Sequence, residues 1–573
     1  MPAESAAASS GRSAAADVGA LTEEAWDAAM RTSPLTATTL GDSRFHDELP
    51  DNSPSGLAGT ERLLGDLRRR AAEVPDDVLD DEERITRSAL VSFLDGQIAE
   101  LVPTQADWSV DPMTGPQVSL LTVASEQPVT DARQRRAALE RWRRMPSYLD
   151  QHGANLRAAA KEGRVAAACL VHKVIEQIDD LLTTPPPDSP LLDPARRAAA
   201  TASGTDQDRF SSDLEEATRH GVLPAFARLR ALLAGEILPQ ARPDDRAGIG
   251  FLPGGDALYR QAIRGFATLD LDPQAVHQTG RREIERNEAE LAGLARAALG
   301  ETDLPAALAR LRSGRGLGFG SREEILAAAR AAVARAEEAV PDWFGLRHQA
   351  PCEVVPTPAH EEAHSSPVQY RLGAEDGSRP GRFWITTSEP GSRQRFLLEV
   401  QSFHEAVPGH HLQLEVAQQL SGLPKFRRRA IVEGYAEGWG LYAEHLAGDM
   451  QLFSTDLDRL GARSQDALRS CRLVVDTGLH ALGWSRRNAI DYVLSHTALP
   501  ERAAAAEVDR YLAWPGQALA YKLGQLEFLD LRSRAQQRLR DRFDIRRFHD
   551  AVLRNGSLPL PVLRQVVDAE LGL

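Results

Sequence analysis

The residues of this chain best suited to chemistry are His404-Glu405-Ala406-Val407-Pro408-Gly409-His410-His411, together with Glu433 and Glu437 in the later run Glu433-Gly434-Tyr435-Ala436-Glu437-Gly438-Trp439. Neutral imidazoles and a carboxylate are ligands that a zinc ion accepts, and a glutamate directly beside the first histidine is placed to take a proton from a water that the ion polarises. The spacing departs from the common H-E-x-x-H pattern, in which two histidines sit one helical turn apart on one face. Here the residue four beyond His404 is Pro408, and His410 and His411 follow Gly409. Seven residues of straight helix span about 10 Å, too far for two ligands of one ion. A local break is therefore required. Pro408 removes a backbone donor and Gly409 tolerates unusual dihedrals, so the pair can bring His410 back toward His404. His410 is the preferred second ligand, which leaves His411 to face substrate or a supporting carboxylate.

Either Glu433 or Glu437 can supply the third ligand, since the two stand one turn apart and both can face the same ion. Glu444, further along the same segment, reads as a solvated helix carboxylate. The helix entering the motif carries Phe396, Leu397, Val400 and Phe403, an apolar face that lays the motif against a core. Downstream, Arg472, Asp476 and His480 recur every four residues and share one face amid Leu473, Val474, Val475 and Leu479. Buried charges need partners, so this stripe is either a structural network or faces the cleft. In the second case His480 can donate to an oxyanion, with Asp476 fixing its tautomer.

The elements that position these residues are mainly helical, because Ala, Leu, Arg and Glu dominate with helical periodicity. Asp272-Pro273 and Gly300 bound one helix, and Ser321 to Glu324 form a capping box before a helix closed by Pro341. Thr183–Pro194 and Pro239–Pro253 are linker-like, and the second is the expected boundary between an N-terminal helical lobe over 21–245 and a catalytic lobe over 246–573. Residues 1–20, rich in Ala and Ser without an apolar signal core, read as a disordered tail. Cys352–Val355, Val368–Leu372 and Arg382–Thr387 are β-favouring and predict a small antiparallel sheet just before the motif helix. No internal repeat of fixed period is present.

A chain of 573 residues with 42% hydrophobic and 26% charged residues is globular in composition, and no apolar run approaches the ~20 residues of a membrane span. A net charge of -15 argues against nucleic acid as a partner. Three dispersed cysteines, Cys169, Cys352 and Cys471, suit buried thiols in a reducing compartment, which points to the cytoplasm.

The segment Ala436 to Glu444 resembles the N-E-G-F-A stretch of gluzincin aminopeptidases, and on that match Glu437 is the zinc ligand while Glu433 is left for a substrate amine or a supporting role. His404 to Gln413, Glu433 to Trp439, Arg472 to Trp484 and Pro515 to Lys522 together look like the bacterial domain of unknown function 885 family, whose members are regarded as zinc-dependent hydrolases similar to gluzincins; the likeness runs from about Thr22 to the C-terminus. It implies a large two-lobed helical fold of zinc-peptidase type. It also implies that Arg382–Thr387 is an edge strand pairing with extended substrate, and that Tyr521 reaches the oxyanion from late in the chain. The expectation is a one-zinc hydrolase of amide bonds in short peptides, with His404, His410 and Glu437 as ligands and Glu405, His480 and Tyr521 in catalysis. Two other readings are a zinc enzyme acting on a non-peptide small molecule and a binding protein that keeps the fold without turnover. The family likeness names no substrate.

Overall fold

The fold is seen in a computed structural model that describes residues 3–101, 108–201, 205–358, 362, 366–373 and 379–573. Helices make up most of it, and their ends follow the local chemistry anticipated above. Asp272 accepts a hydrogen bond from the Ala275 amide at 3.1 Å to open the helix Pro273–Leu299, which ends on Gly300 in the left-handed conformation. Ser321 caps Arg322–Trp343 through the Glu324 amide; this helix runs two residues beyond Pro341. The first helix spans Ala3–Thr32, so the expected tail is helical backbone over residues 3–20, its first two residues lying outside those described. Alanine has the highest helix propensity of any residue, and that outweighs the low hydrophobicity of the segment.

Buried apolar residues divide the molecule differently from the expected split at 245. Trp142, Val171, Phe226 and their neighbours, all between residues 110 and 237, form one core of their own. Residues 21–94 instead share a core with Phe403, Trp439, Phe528, Phe548 and Leu563. The earliest helices are thus part of the body that carries the motif, because their apolar faces find their partners there rather than in the segment that follows them.

Three strands form one sheet: β1 (Glu353–Pro356), β2 (Val368–Arg371) and β3 (Arg382–Ile385), in the order β1-β3-β2. β1 runs parallel to β3, and β2 antiparallel to it, so the sheet is mixed rather than antiparallel. β3 is central, with both edges paired, so Arg382–Thr387 cannot be the edge strand that receives a substrate. Among the described residues the outer strands are β1 and β2.

The motif helix, Arg395–Glu405, packs against Asp456–His480 and Glu433–Asp449, and the last of these packs in turn against Gln517–Leu539. The latter pair meets backbone to backbone. A Cβ on Gly438 would lie 2.5 Å from the Gly524 Cα, so only glycine permits this approach.

Candidate metal centre

The break anticipated in the motif is a full interruption. The helix ends at Glu405, Val407-Pro408 is a cis peptide bond, and a second helix starts at His410 and runs to Gln419. The turn is tight enough that a Cβ on Gly409 would sit 1.8 Å from the His404 carbonyl oxygen. Trp439, fully buried, donates from Nε1 to the Pro408 carbonyl at 3.0 Å and pins the turn to the helix that carries Glu437. Two residues six apart in sequence are thereby brought side by side, and the His404 and His410 rings meet edge to face with centroids 4.7 Å apart.

Glu437 completes the group. Its Oε2 lies 3.5 Å from His404 Nε2 and 3.6 Å from His410 Nε2, and ligand-type atoms of all three residues fall within 4.8 Å of one another. These separations exceed a good hydrogen bond, and the buried Glu437 Oε2 has no hydrogen-bond partner. Burial raises the Glu437 carboxyl, but the two imidazoles beside it outweigh burial and hold its pKa well below the ordinary range. For His404 burial acts downward, and the flanking carboxylates Glu437 and Glu444 prevail, lifting it to about 10. The three residues, His404 buried and the other two half-buried, form a set of N and O donors suited to a divalent cation.

Behind the ligands stands Glu444, 7% exposed, whose Oε1 is 2.8 Å from His404 Nδ1. It is no solvated carboxylate: it orients the ring so that Nε2 faces the group. The sequence does contain a signal for it, since Glu444 follows Glu437 by two helical turns and must share its face. Gly440, between them, gives His404 room; a Cβ there would meet the imidazole Cε1 at 2.6 Å.

His411 turns the other way, beneath the sheet. Its Nε2 donates to the Ala350 carbonyl at 3.0 Å, so Nδ1 is the acceptor for the Tyr370 hydroxyl at 3.0 Å. Glu337, His348 and His411 form a second group with ligand-type atoms within 4.8 Å. Within it His348 Nε2 and Glu337 lie 2.9 Å apart, while the buried His348 Nδ1 has no hydrogen-bond partner among the described residues.

Glu405, Glu433 and Tyr521 line the same cavity as His404, His410 and Glu437, a space of about 1180 Å³ that β2 also borders through Val368, Gln369 and Tyr370. Glu433 accepts from Gln517 Nε2 at 3.3 Å, and burial, then the neighbouring Glu437 charge, pushes it up to about 7. Arg472 and Arg469 reach this cavity as well.

His480 and Asp476 do not. His480 Nδ1 accepts from the Ile249 amide at 3.1 Å and its Nε2 donates to the Tyr511 carbonyl at 3.0 Å, so neither nitrogen is free for an oxyanion. Asp476 is bonded to the Tyr259 hydroxyl at 2.5 Å and the Gly516 amide at 3.1 Å rather than to His480. The charged stripe is divided: Arg472 faces the cavity, while the other two fasten the Asp456–His480 helix to its neighbours. Four-residue spacing places residues on one side of a helix but does not say how that side is shared along its length.

With this geometry in view, the similarities of the chain acquire meaning. No curated protein matches it. A crystal structure described as that of "the putative lipoprotein from Colwellia psychrerythraea" superposes with a TM-score of 0.90 at 26% identity, covering 98% of this chain and 99% of that one. A second, described as "a putative lipoprotein of unknown function from Shewanella oneidensis", has a TM-score of 0.73 at 16% identity, covering 95% and 98%. The family model described as "Bacterial protein of unknown function (DUF885)" matches residues 34–567, and the chain belongs to that family.

Proposed function

We propose that this protein is a zinc-dependent hydrolase of amide bonds that acts on short peptides, built on a two-lobed helical body of gluzincin type. The observation that carries the reading is the spacing of the donor atoms. Two ligands bonded at 2.0–2.1 Å in a tetrahedral site stand about 3.3–3.4 Å apart, close to the 3.5 and 3.6 Å between Glu437 Oε2 and the two imidazole nitrogens. The orphaned buried oxygen of Glu437 fits the same ion. When bound, zinc polarises the substrate carbonyl and lowers the pKa of water from ~16 toward ~7.

The chain's own residues supply the rest. Glu405, next to the first ligand and on the cavity wall, accepts the proton of the attacking water and passes it to the departing nitrogen, so that water adds across the C–N bond. Tyr521, kept protonated because burial and then the Glu437 charge push it up to about 12, donates to the oxyanion. The outer edge of β2 aligns an extended chain by strand addition. A cavity of about 1180 Å³ exceeds the ~300–1,000 Å³ of usual small-ligand pockets, which favours a peptide over a compact metabolite. The lipoprotein description of both neighbours points away from the cytoplasmic location read from composition; among the described residues no helix is long and apolar enough to cross a membrane.

Metal analysis of purified protein, followed by turnover of N-acetylated short peptides with and without chelator, tests the proposal. One zinc per chain is expected. Glu405→Gln should keep the metal and lose about 10²–10⁴-fold in turnover; a chain that retains no zinc, or a variant as active as the parent, would overturn it.

A further inference from the structure

Where the helix Asp456–His480 lines the cavity, arginines gather around a single carboxylate, Glu507. Arg472 is 6% exposed. Its Nη2 donates to Glu507 Oε2 at 3.0 Å, its Nε donates to the Tyr511 hydroxyl at 3.3 Å, and its guanidinium lies 4.5 Å from the centre of the Tyr521 ring. Its Nη1 is buried and has no hydrogen-bond partner among the described residues. Arg510 turns to the same carboxylate, at 3.3 Å from Glu507 Oε2, and also approaches the Tyr521 ring, at 5.8 Å. One carboxylate, that of Glu507, is thus shared by two permanent cations. Arg469, one turn before Arg472 on the Asp456–His480 helix, also lines the cavity. Its Nη2 is 3.7 Å from Glu444, and its Nε is buried without a partner.

An ionised donor left unbonded inside a protein is costly, and the cost is removed when an acceptor arrives. Guanidinium N–H groups match a carboxylate in geometry as well as charge. Resting on the hydrolase reading above, we infer that Arg472, helped by Arg469, binds a carboxylate of the substrate, and that this carboxylate is the free C-terminus of a peptide cut near its end. Tyr521 carries the argument from one site to the other: its ring lies against Arg472, while it shares the cavity wall with Glu437 and Glu405. A carboxylate held at Arg472 would thus lie in the same cavity that Glu405 lines, with its adjoining amide bond inside that cavity. The carboxylate of an Asp or Glu side chain has the same chemistry, and the test separates the two.

The experiment uses zinc-loaded full-length Glu405→Gln protein and titration calorimetry with three probes: an N-acetylated peptide ending in a free carboxylate, the same peptide as its C-terminal amide, and an amide-capped peptide with a glutamate as its last residue. The free acid is expected to bind about tenfold or more tightly than the plain amide, with the capped glutamate peptide resembling the plain amide. Adding Arg472→Gln should bring the acid-to-amide ratio toward one. Arg469→Gln, whose side chain is 13% exposed, should lower the ratio as well and guards against misfolding of the first variant. Equal binding of acid and amide, binding of neither, a ratio unmoved by both substitutions, or a preference only for the glutamate side chain would overturn the inference. The hydrolase reading fails separately: an acid preference in binding without turnover by the parent protein refutes hydrolysis and leaves the carboxylate site standing, whereas turnover indifferent to the carboxylate does the reverse.

Discussion

Gly440→Ala offers a sharp test of the geometry, because two effects of known sign compete at that position. Gly440 lies inside the helix Glu433–Asp449, where alanine is favoured over glycine by about 1 kcal/mol. By propensity alone the substitution stabilises. The new Cβ, however, would stand 2.6 Å from His404 Cε1, 2.9 Å from Nε2 and 3.0 Å from Nδ1. Ordinary contact needs roughly 3.4–4 Å, so the imidazole must move by about 1 Å. Its Nδ1 is tied to Glu444 at 2.8 Å, so the ring can only tilt by stretching that bond or by carrying Nε2 away from Glu437. Ligand distances tolerate about 0.2 Å, several times less than the displacement. Zinc affinity is therefore expected to fall by at least the 10–100-fold seen when ligand orientation is lost, and turnover by about 10²-fold. Zinc competition with a chromogenic chelator and peptide turnover measure the two. Gly448→Ala, on the same helix with nothing within 4 Å of its Cβ, is the control and should bind zinc like the parent. If Gly440→Ala bound zinc as tightly as the parent protein while melting at a higher temperature, His404 would not be the rigid ligand described here.

Three further outcomes follow from buried charge. Glu444→Gln keeps the shape but weakens the acceptor behind His404, and should cost about 10–100-fold in zinc affinity by the same assay. Lys522 is fully buried, with Nζ 2.7 Å from Asp466 and 3.2 Å from Glu283; Lys522→Met leaves Asp466 under-compensated and should destabilise by about 3–5 kcal/mol in denaturant unfolding. Burial pushes Asp476 up to about 7, above its unfolded value of ~3.9. A raised folded pKa means that this group's contribution is fully present below pH ~4 and is lost as pH rises through about 7. Asp476→Asn should thus be at its greatest disadvantage relative to the parent near pH ~4, recover progressively as pH rises from there to about 7, by a few kcal/mol in all, and change little beyond it; a difference constant across that range would refute the assignment.

The clustering of His404, His410 and Glu437 is legible in the sequence because residues of these types invite a common partner and because Pro408-Gly409 announces the break that the spacing demands. The caps at Asp272, Gly300 and Ser321 are legible for a similar reason: each satisfies backbone groups within a few residues. What escaped was non-local. The order of the strands depends on which edges meet, and three short β-favouring runs carry no record of that, so β3 could be taken for an edge. His480 resembles a catalytic residue until Ile249 and Tyr511, distant in the chain, are seen to hold it. Glu444 was recoverable from helical phase alone, since two turns separate it from Glu437.

The earliest packed helices and the last ones lie in a single core, where Trp26, Leu64 and Leu90 join Phe548, Leu563 and Val567. During synthesis the helices within residues 21–94 can pack on one another, but the apolar faces that meet residues 332–567 lack those partners until the later residues are made. The intervening stretch between residues 110 and 237 can condense around its own interior in the meantime. Closing so long a loop late is slow, and the exposed faces are open to aggregation until it happens. Assembly of the candidate site, whose neighbour Trp439 belongs to that shared core, is thereby tied to the arrival of residues as late as Val567.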